Sequence, residues 1–159
     1  MTLNLQPTID TILNAPLPEK PIDGKDAWPV ISGQQTEPVQ EAYYFWYKRN
    51  DLEAMRMGKW KLQFPHTFRN SKITPANDGH AGKYVMQKCG LELYDLEADS
   101  GESKNIAAQH PEIVSKMQAL AIEKRNELGD RLQKIKGTKN REPGIAKIAN
   151  WAKPKPTKK

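Results

Sequence analysis

A chain of 159 residues with 37% hydrophobic content and a mean hydropathy of -0.79 supports one modest core with extensive polar surface, not two well-buried domains. No run approaches the ~18 consecutive apolar residues of a membrane-spanning helix, and residues 1–7 carry neither the basic nor the apolar region of a secretory signal. The net charge of +6 is concentrated: residues 131–159 hold ten Lys or Arg against one acid, Glu142, so the pI of 9.3 belongs to that end and residues 1–130 are mildly acidic.

Leu5, Ile9, Ile12 and Leu13 recur at helical spacing with Pro7 in a tolerated first-turn position, which predicts a short helix ending before Pro16 and Pro18. Residues 16–33 are rich in Pro and Gly and read as a connecting loop with a turn at Asp23-Gly24. The apolar Ile22, Trp28, Val30 and Ile31 within it need a surface to dock on. So much apolar surface with so little regular structure marks residues 1–33 as the expected end, plus linker, of a larger domain.

A meander follows. Residues 41–47 (EAYYFWY) are dense in strand formers, and residues 48–51 are polar turn material. Residues 52–57 alternate, with Leu52, Ala54 and Arg56 expected on one face and Glu53, Met55 and Met57 on the other. Gly58-Lys59 makes a tight turn into residues 60–64, where Trp60, Leu62 and Phe64 share a face. Residues 65–83 show no periodicity and read as a long loop. Cys89 excludes an internal disulfide and, with no motif around it, reads as a small half-buried residue beside a strand. Residues 91–96 (LELYDL) supply a fourth strand. Pro111 suits the first position of a helix whose stripe is Ile113, Met117, Leu120, Ala121 and Leu128, with Gly129 to stop it. The expected fold class is α+β: a four-stranded antiparallel sheet packed by one long C-terminal helix over residues 34–130, followed by a basic, mobile tail at 131–159.

Four blocks carry a resemblance. They are Leu5-Gln6-Pro7-Thr8 leading through Pro18 to Ile22-Asp23-Gly24-Lys25-Asp26-Ala27-Trp28-Pro29; Gly58-Lys59-Trp60-Lys61-Leu62-Gln63-Phe64-Pro65-His66-Thr67; Leu93-Tyr94-Asp95-Leu96 with Asp99, Gly101-Glu102 and Asn105; and His110-Pro111-Glu112. In order and spacing they resemble the C-terminal region of arylsulfatase-type, formylglycine-dependent sulfatases over roughly residues 4–130. Asn4 stands where that family commonly has aspartate, Gln63 where it often has histidine, and Ser100 where it often has proline. The resemblance implies that residues 1–33 are left over from a large sulfatase α/β domain, which is the partner of the rest. It also implies a parent enzyme with a formylglycine and a divalent cation such as calcium, acting on aryl or carbohydrate sulfates and often exported.

Cys89 is followed by Gly90-Leu91-Glu92, with neither the proline nor the arginine of a C-x-P-x-R motif, so it is not the residue that becomes formylglycine. No catalytic residue and no metal ligand are assigned to this chain, and Asp23 and Asp26 read as turn formers. His66, just after a strand, is the substrate-binding candidate: the resemblance places this region at the mouth of the active site, while a histidine bonded to loop backbone is the structural alternative. His80 reads as solvated and His110 as part of a helix opening. In the aromatic run at 43–47 alternate residues share a face, so one set packs in the core and the other is expected to meet the large domain. Clustered Lys and Arg attract phosphates, yet no aromatic interleaving or zinc spacing points to nucleic acid. The expected function is that of a sulfatase C-terminal subdomain, catalytically incomplete alone, and the alternative is a stand-alone module holding an anionic polymer through its sheet face and basic tail.

Overall fold

In the computed structural model of this protein, residues 2–19, 22–70, 79–80 and 82–140 are described. The strands in chain order are β1 (Tyr43–Tyr47), β2 (Asp51–Met57), β3 (Trp60–Gln63), β4 (His66–Asn70), β5 (Val85–Cys89), β6 (Glu92–Asp95), β7 (Gly129–Asp130) and β8 (Ile135–Lys136). Strands β1, β2, β3 and β6 form one antiparallel sheet in that order, with Tyr43 opposite Arg56, Met55 opposite Leu62, and Leu62 opposite Leu93. The turn between β2 and β3 is possible because Gly58 adopts a φ of 56°, a left-handed conformation that side chains resist.

The alternation expected along β2 is broken. Phe45 pairs with Ala54 but Trp46 pairs with Leu52, so Glu53 is an extra, bulged residue. The bulge shifts the phase of the strand, and Leu52 and Met55 both enter the core, each fully buried, while Ala54 stays outside that cluster. Leu62, Phe64 and Leu93 continue the same apolar face. In β1, Tyr44 and Trp46 pack against this core, and Tyr43, Phe45 and Tyr47 point away from it and are exposed.

One long helix covers the sheet. It is the third of the chain's α-helices, which are α1 (Leu5–Ile12), α2 (Trp28–Ile31) and α3 (Pro111–Leu128). Pro111 opens α3 and Gly129, at a φ of 86°, ends it. The inward line is Val114, Met117, Ala121 and Arg125, with Ile113 and Leu120 packing only partly against the core. The predicted stripe thus has the right helix and includes Met117 and Ala121, but it omits Val114 and includes the less buried Leu120. A charged residue completes the face: the Arg125 guanidinium lies 4.2 Å from the Phe64 ring and its Nε donates to the wholly buried Asp130 at 2.7 Å.

Residues 131–140, at the start of the basic stretch, fold back beside the sheet. A turn joins β7 to β8, Arg131 Nε donates to Asp51 Oδ1 at 2.7 Å, and the Arg131 backbone N–H donates to the Asn50 carbonyl at 2.9 Å. Asn50 Nδ2 in turn donates to the Leu128 carbonyl at 2.8 Å. The loop expected at 65–83 begins instead as a strand: β4 and β5 form a two-stranded ribbon, with His66 opposite Cys89 and Asn70 opposite Val85. Residues 71–78 and 81 of that stretch, and residues 141–159 of the basic end, lie outside the described residues.

The N-terminal segment is organised around two polar side chains. Thr8 Oγ1 donates to the Asn4 carbonyl at 2.7 Å and accepts from the Ala27 N–H at 2.8 Å, while Asn4 Oδ1 accepts from the Lys25 N–H and from Gln40 Nε2. Gly24 passes so close to the start of α1 that a Cβ there would sit 2.1 Å from the Leu3 carbonyl oxygen. A single turn, α2, falls within the stretch expected to be irregular. Leu5, Ile9, Ile12 and Leu13 remain half or more exposed along α1.

Candidate functional site

The ribbon β4–β5 leaves the sheet just after Phe64, which is buried and anchors its base. His66 sits at that base with only 8% of its side chain exposed. Its Nδ1 lies 2.7 Å from the Phe64 carbonyl and therefore donates to it, and its Nε2 is 3.5 Å from the Glu53 carboxylate. The Cys89 thiol lies 3.1 Å from Nδ1. That nitrogen is already bonded to a carbonyl, and burial pushes the thiol's pKa up, so the pair lacks the features of an activated nucleophile. The ring of His66 is thus bonded to the Phe64 backbone on one side and faces Glu53 on the other.

Glu53 is the bulged residue of β2, and the bulge turns its carboxylate toward a cleft of about 450 Å³ between the β1–β2 turn and the ribbon. The cleft is lined by Tyr47 and Lys48 from the turn, Glu53 from β2, Thr67, Phe68 and Arg69 from β4, and Tyr84 and Met86 from the other arm. Cations lie over two of its rings: the Arg69 guanidinium is 4.8 Å from the centre of Tyr84, and the Lys48 ammonium 5.9 Å from that of Tyr47. A second crevice of about 350 Å³ is walled by Phe64, Gln118, Ile122, Arg125 and Ile135, but the charge of Arg125 is already taken up by Asp130.

Of the other sequence candidates, Asp26 and His110 have local partners. Asp26 Oδ1 accepts from the Trp28 N–H at 2.8 Å, which is the turn role expected of it. His110 packs against Trp60 with ring centres 4.9 Å apart at the opening of α3, and His80 is exposed. Among the described residues no three His, Cys, Asp or Glu side chains converge in a way that fits a cation. Apart from Tyr47, which lies in the aromatic run at 43–47, the cleft residues were not singled out from the sequence, because they come from three separate segments with no common motif. The only local signal is the concentration of aromatic and basic residues around positions 47–49.

Against known proteins, residues 39–155 match the model of the C-terminal region of aryl-sulfatase. The chain is 29% identical over 129 residues to human arylsulfatase A, covering 76% of this chain and 25% of that protein. It is 28% identical over 118 residues to an N-acetylgalactosamine-6-O-sulfatase of Bacteroides thetaiotaomicron, covering 71% of this chain and 21% of that protein. A solved sulfatase chain from work on glycosaminoglycan metabolism by Bacteroides thetaiotaomicron superposes with a TM-score of 0.54 at 25% identity, over 77% of this chain and 24% of that one. The chain therefore spans about a quarter of the length of the relatives it matches. With the family model covering well over half of its residues, on a four-stranded sheet and long helix like those of a sulfatase, this chain belongs to the C-terminal region family of the aryl-sulfatases.

Proposed function

We propose that this chain completes the fold of a sulfuric ester hydrolase, borders its substrate pocket, and is catalytically incomplete by itself. The observation that carries the reading is the apolar face of α1, where Leu5, Ile9, Ile12 and Leu13 are 51–70% exposed beside a segment already tied down by Asn4 and Thr8. A face so apolar on an ordered helix fits a large partner, and the partner of this reading is the N-terminal sulfatase catalytic domain. Residues 1–33 then belong with that domain, residues 34–130 form the C-terminal subdomain, and residues 131–159 form its basic end. The parent would supply the formylglycine nucleophile and a divalent cation such as calcium. The relative named for N-acetylgalactosamine 6-O-sulfate supports a sulfated carbohydrate as substrate. His66, whose Nε2 stands 3.5 Å from Glu53, is the residue of this chain that would contact the organic part of the substrate at that border.

A direct assay tests this. The purified chain with an aryl sulfate and calcium is expected to show no turnover, and mixing it with a catalytic domain that carries a C-x-P-x-R motif but lacks this region is expected to restore turnover. Turnover by the chain alone that survives Cys89→Ala would overturn the reading.

A further inference from the structure

We propose that β1 is the contact edge of a symmetric dimer, in which two copies of this chain join their sheets by antiparallel pairing of Tyr43–Tyr47 with itself. The dimer depends only on the edge of the sheet and on no property of the parent enzyme. Strands β1 and β6 are the two ends of the main sheet, and the chain closes the β6 end. There the Leu93 carbonyl accepts from the Ile106 N–H at 2.9 Å, and the Leu93 N–H donates to Asn105 Oδ1 at 3.1 Å. Among the described residues no such bond reaches the outer side of β1. An open edge is a template for another strand, and proteins commonly blunt it with charge, proline or a bulge. Residues 43–47 contain no charge and no proline, and the bulge of this pair lies on β2, the inner strand. Five consecutive aromatic residues instead give the edge high strand propensity and large side chains for cross-strand contact.

The edge is complementary to itself. Pairing centred on Phe45 sets Phe45 opposite its own copy, Tyr44 opposite Trp46, and Tyr43 opposite Tyr47. Tyr43, Phe45 and Tyr47 point away from the core while Tyr44 and Trp46 pack against it, so every pair joins residues of one face. A shift by one residue would set the core set against the outer set, and a shift by two would leave an end residue outside the aromatic ladder. The flanks carry the same symmetry. Glu41 precedes the strand and Lys48 and Arg49 follow it, all exposed, so each end brings the carboxylate of one copy beside two cations of the other. Glu41 is otherwise met only by the exposed Lys116 at 4.0 Å, a contact worth little in water. Parallel pairing would set Glu41 against Glu41 and Lys48 against Lys48, which disfavours it. Two four-stranded sheets thus become one of eight strands, with the outer aromatic sets of both copies in one strip. Tyr43 and Phe45 already stack edge to face, 4.7 Å between ring centres, so part of that strip is preorganised. Pairing along one short edge buries less than the ~1,200 Å² of a standard interface, so association in the micromolar range is expected.

Sedimentation velocity on the whole 159-residue chain tests this, with monomer expected in dilute solution and dimer at about a hundredfold higher concentration. Phe45→Lys sets two like charges face to face on the twofold axis, at a position outside the core cluster. It is expected to weaken dimerisation about tenfold or more with unchanged thermal melting. The register is read by cross-linking in a Cys89→Ala background. A cysteine at 45 faces its own copy at the ~5 Å Cα separation of an antiparallel pair, within disulfide reach, whereas one at 43 lies about 13 Å along the strands from its copy. Mild oxidation is therefore expected to give a covalent dimer from Phe45→Cys and none from Tyr43→Cys. A monomer at every concentration, an undiminished dimer in Phe45→Lys, or equal cross-linking of the two cysteine variants would each overturn the proposal. So would a monomer whose β1 amides gain protection from hydrogen exchange only when a catalytic domain is added, since the edge would then belong to that domain.

Discussion

Shortening Met117 to alanine measures how α3 docks. The side chain is fully buried and belongs to the cluster of Leu52, Met55, Leu62, Phe64 and Leu93. Removing the thioether arm forfeits transfer free energy worth about 2 kcal/mol and leaves a cavity that the sheet cannot fully close, for a total of about 3 kcal/mol. The better helix propensity of alanine returns only a few tenths. Leu120 lies on the flank of the same helix and packs only partly against the core, so Leu120→Ala is expected to cost about 1 kcal/mol. The difference of about 2 kcal/mol corresponds to roughly 10 °C in melting temperature for a folded unit of this size. Urea unfolding followed by fluorescence reads it well, because Trp46 and Trp60 both pack against the cluster, and far-UV circular dichroism checks that the helix unfolds with the sheet. If the two variants melt together, or Leu120→Ala is the weaker protein, then α3 is rotated from the phase described and the buried line through Val114, Met117 and Ala121 is wrong.

Two further outcomes concern charged groups. Asp51 is 1% exposed while the side chain of its partner Arg131 is 55% exposed, so Arg131→Ala strands a buried carboxylate whereas Asp51→Asn leaves a cation already half in water; the arginine variant is expected to be the less stable in urea titrations, and the reverse order would refute the burial argument. The pKa of Asp99 is held down chiefly by the Lys104 backbone N–H, with Ser103 adding its own, so its stabilising contribution is present above the unfolded-state value of about 4 and is lost as the pH falls through the lower folded value. Asp99→Asn is therefore expected to melt earlier than the parent at neutral pH and to converge with it in strong acid; a gap that persists there would show that the effect is not one of charge.

Much of the frame was legible because its signals are local. The meander follows from strand formers interrupted by Gly58-Lys59, and α3 from Pro111 and Gly129 at its ends. The phase of β2 was not legible, since a bulge at Glu53 depends on how β1 pairs and leaves no mark in the residues themselves. The ribbon was missed for a related reason. Four of the five residues of β5 are exposed, so burial imposes no alternation on them and they look like loop. In α3 the inward Arg125 is invisible to hydropathy, because what makes it tolerable is Asp130 beyond the end of the helix. The resemblance singled out His66, whereas the neighbouring cleft left no mark in the sequence, as pairing alone brings Tyr47, Arg69 and Tyr84 together.

The order of strands in the main sheet has a consequence for how such a chain can diversify. Strands β3 and β6 are direct neighbours, with Gln63 opposite Glu92, so the path that leaves the sheet after Phe64 returns to it one strand spacing away. The described arms of the ribbon rise from two feet that the sheet holds side by side, with His66 opposite Cys89 at the base. Lengthening such a path raises the closure entropy only as the logarithm of its length, about 0.6 kcal/mol for each doubling. The core of Leu52, Met55, Leu62, Leu93 and Met117 is closed without it. Selection is thus free to rewrite the exposed positions of β5, Val85 to Lys88, while the frame that holds them keeps its stability.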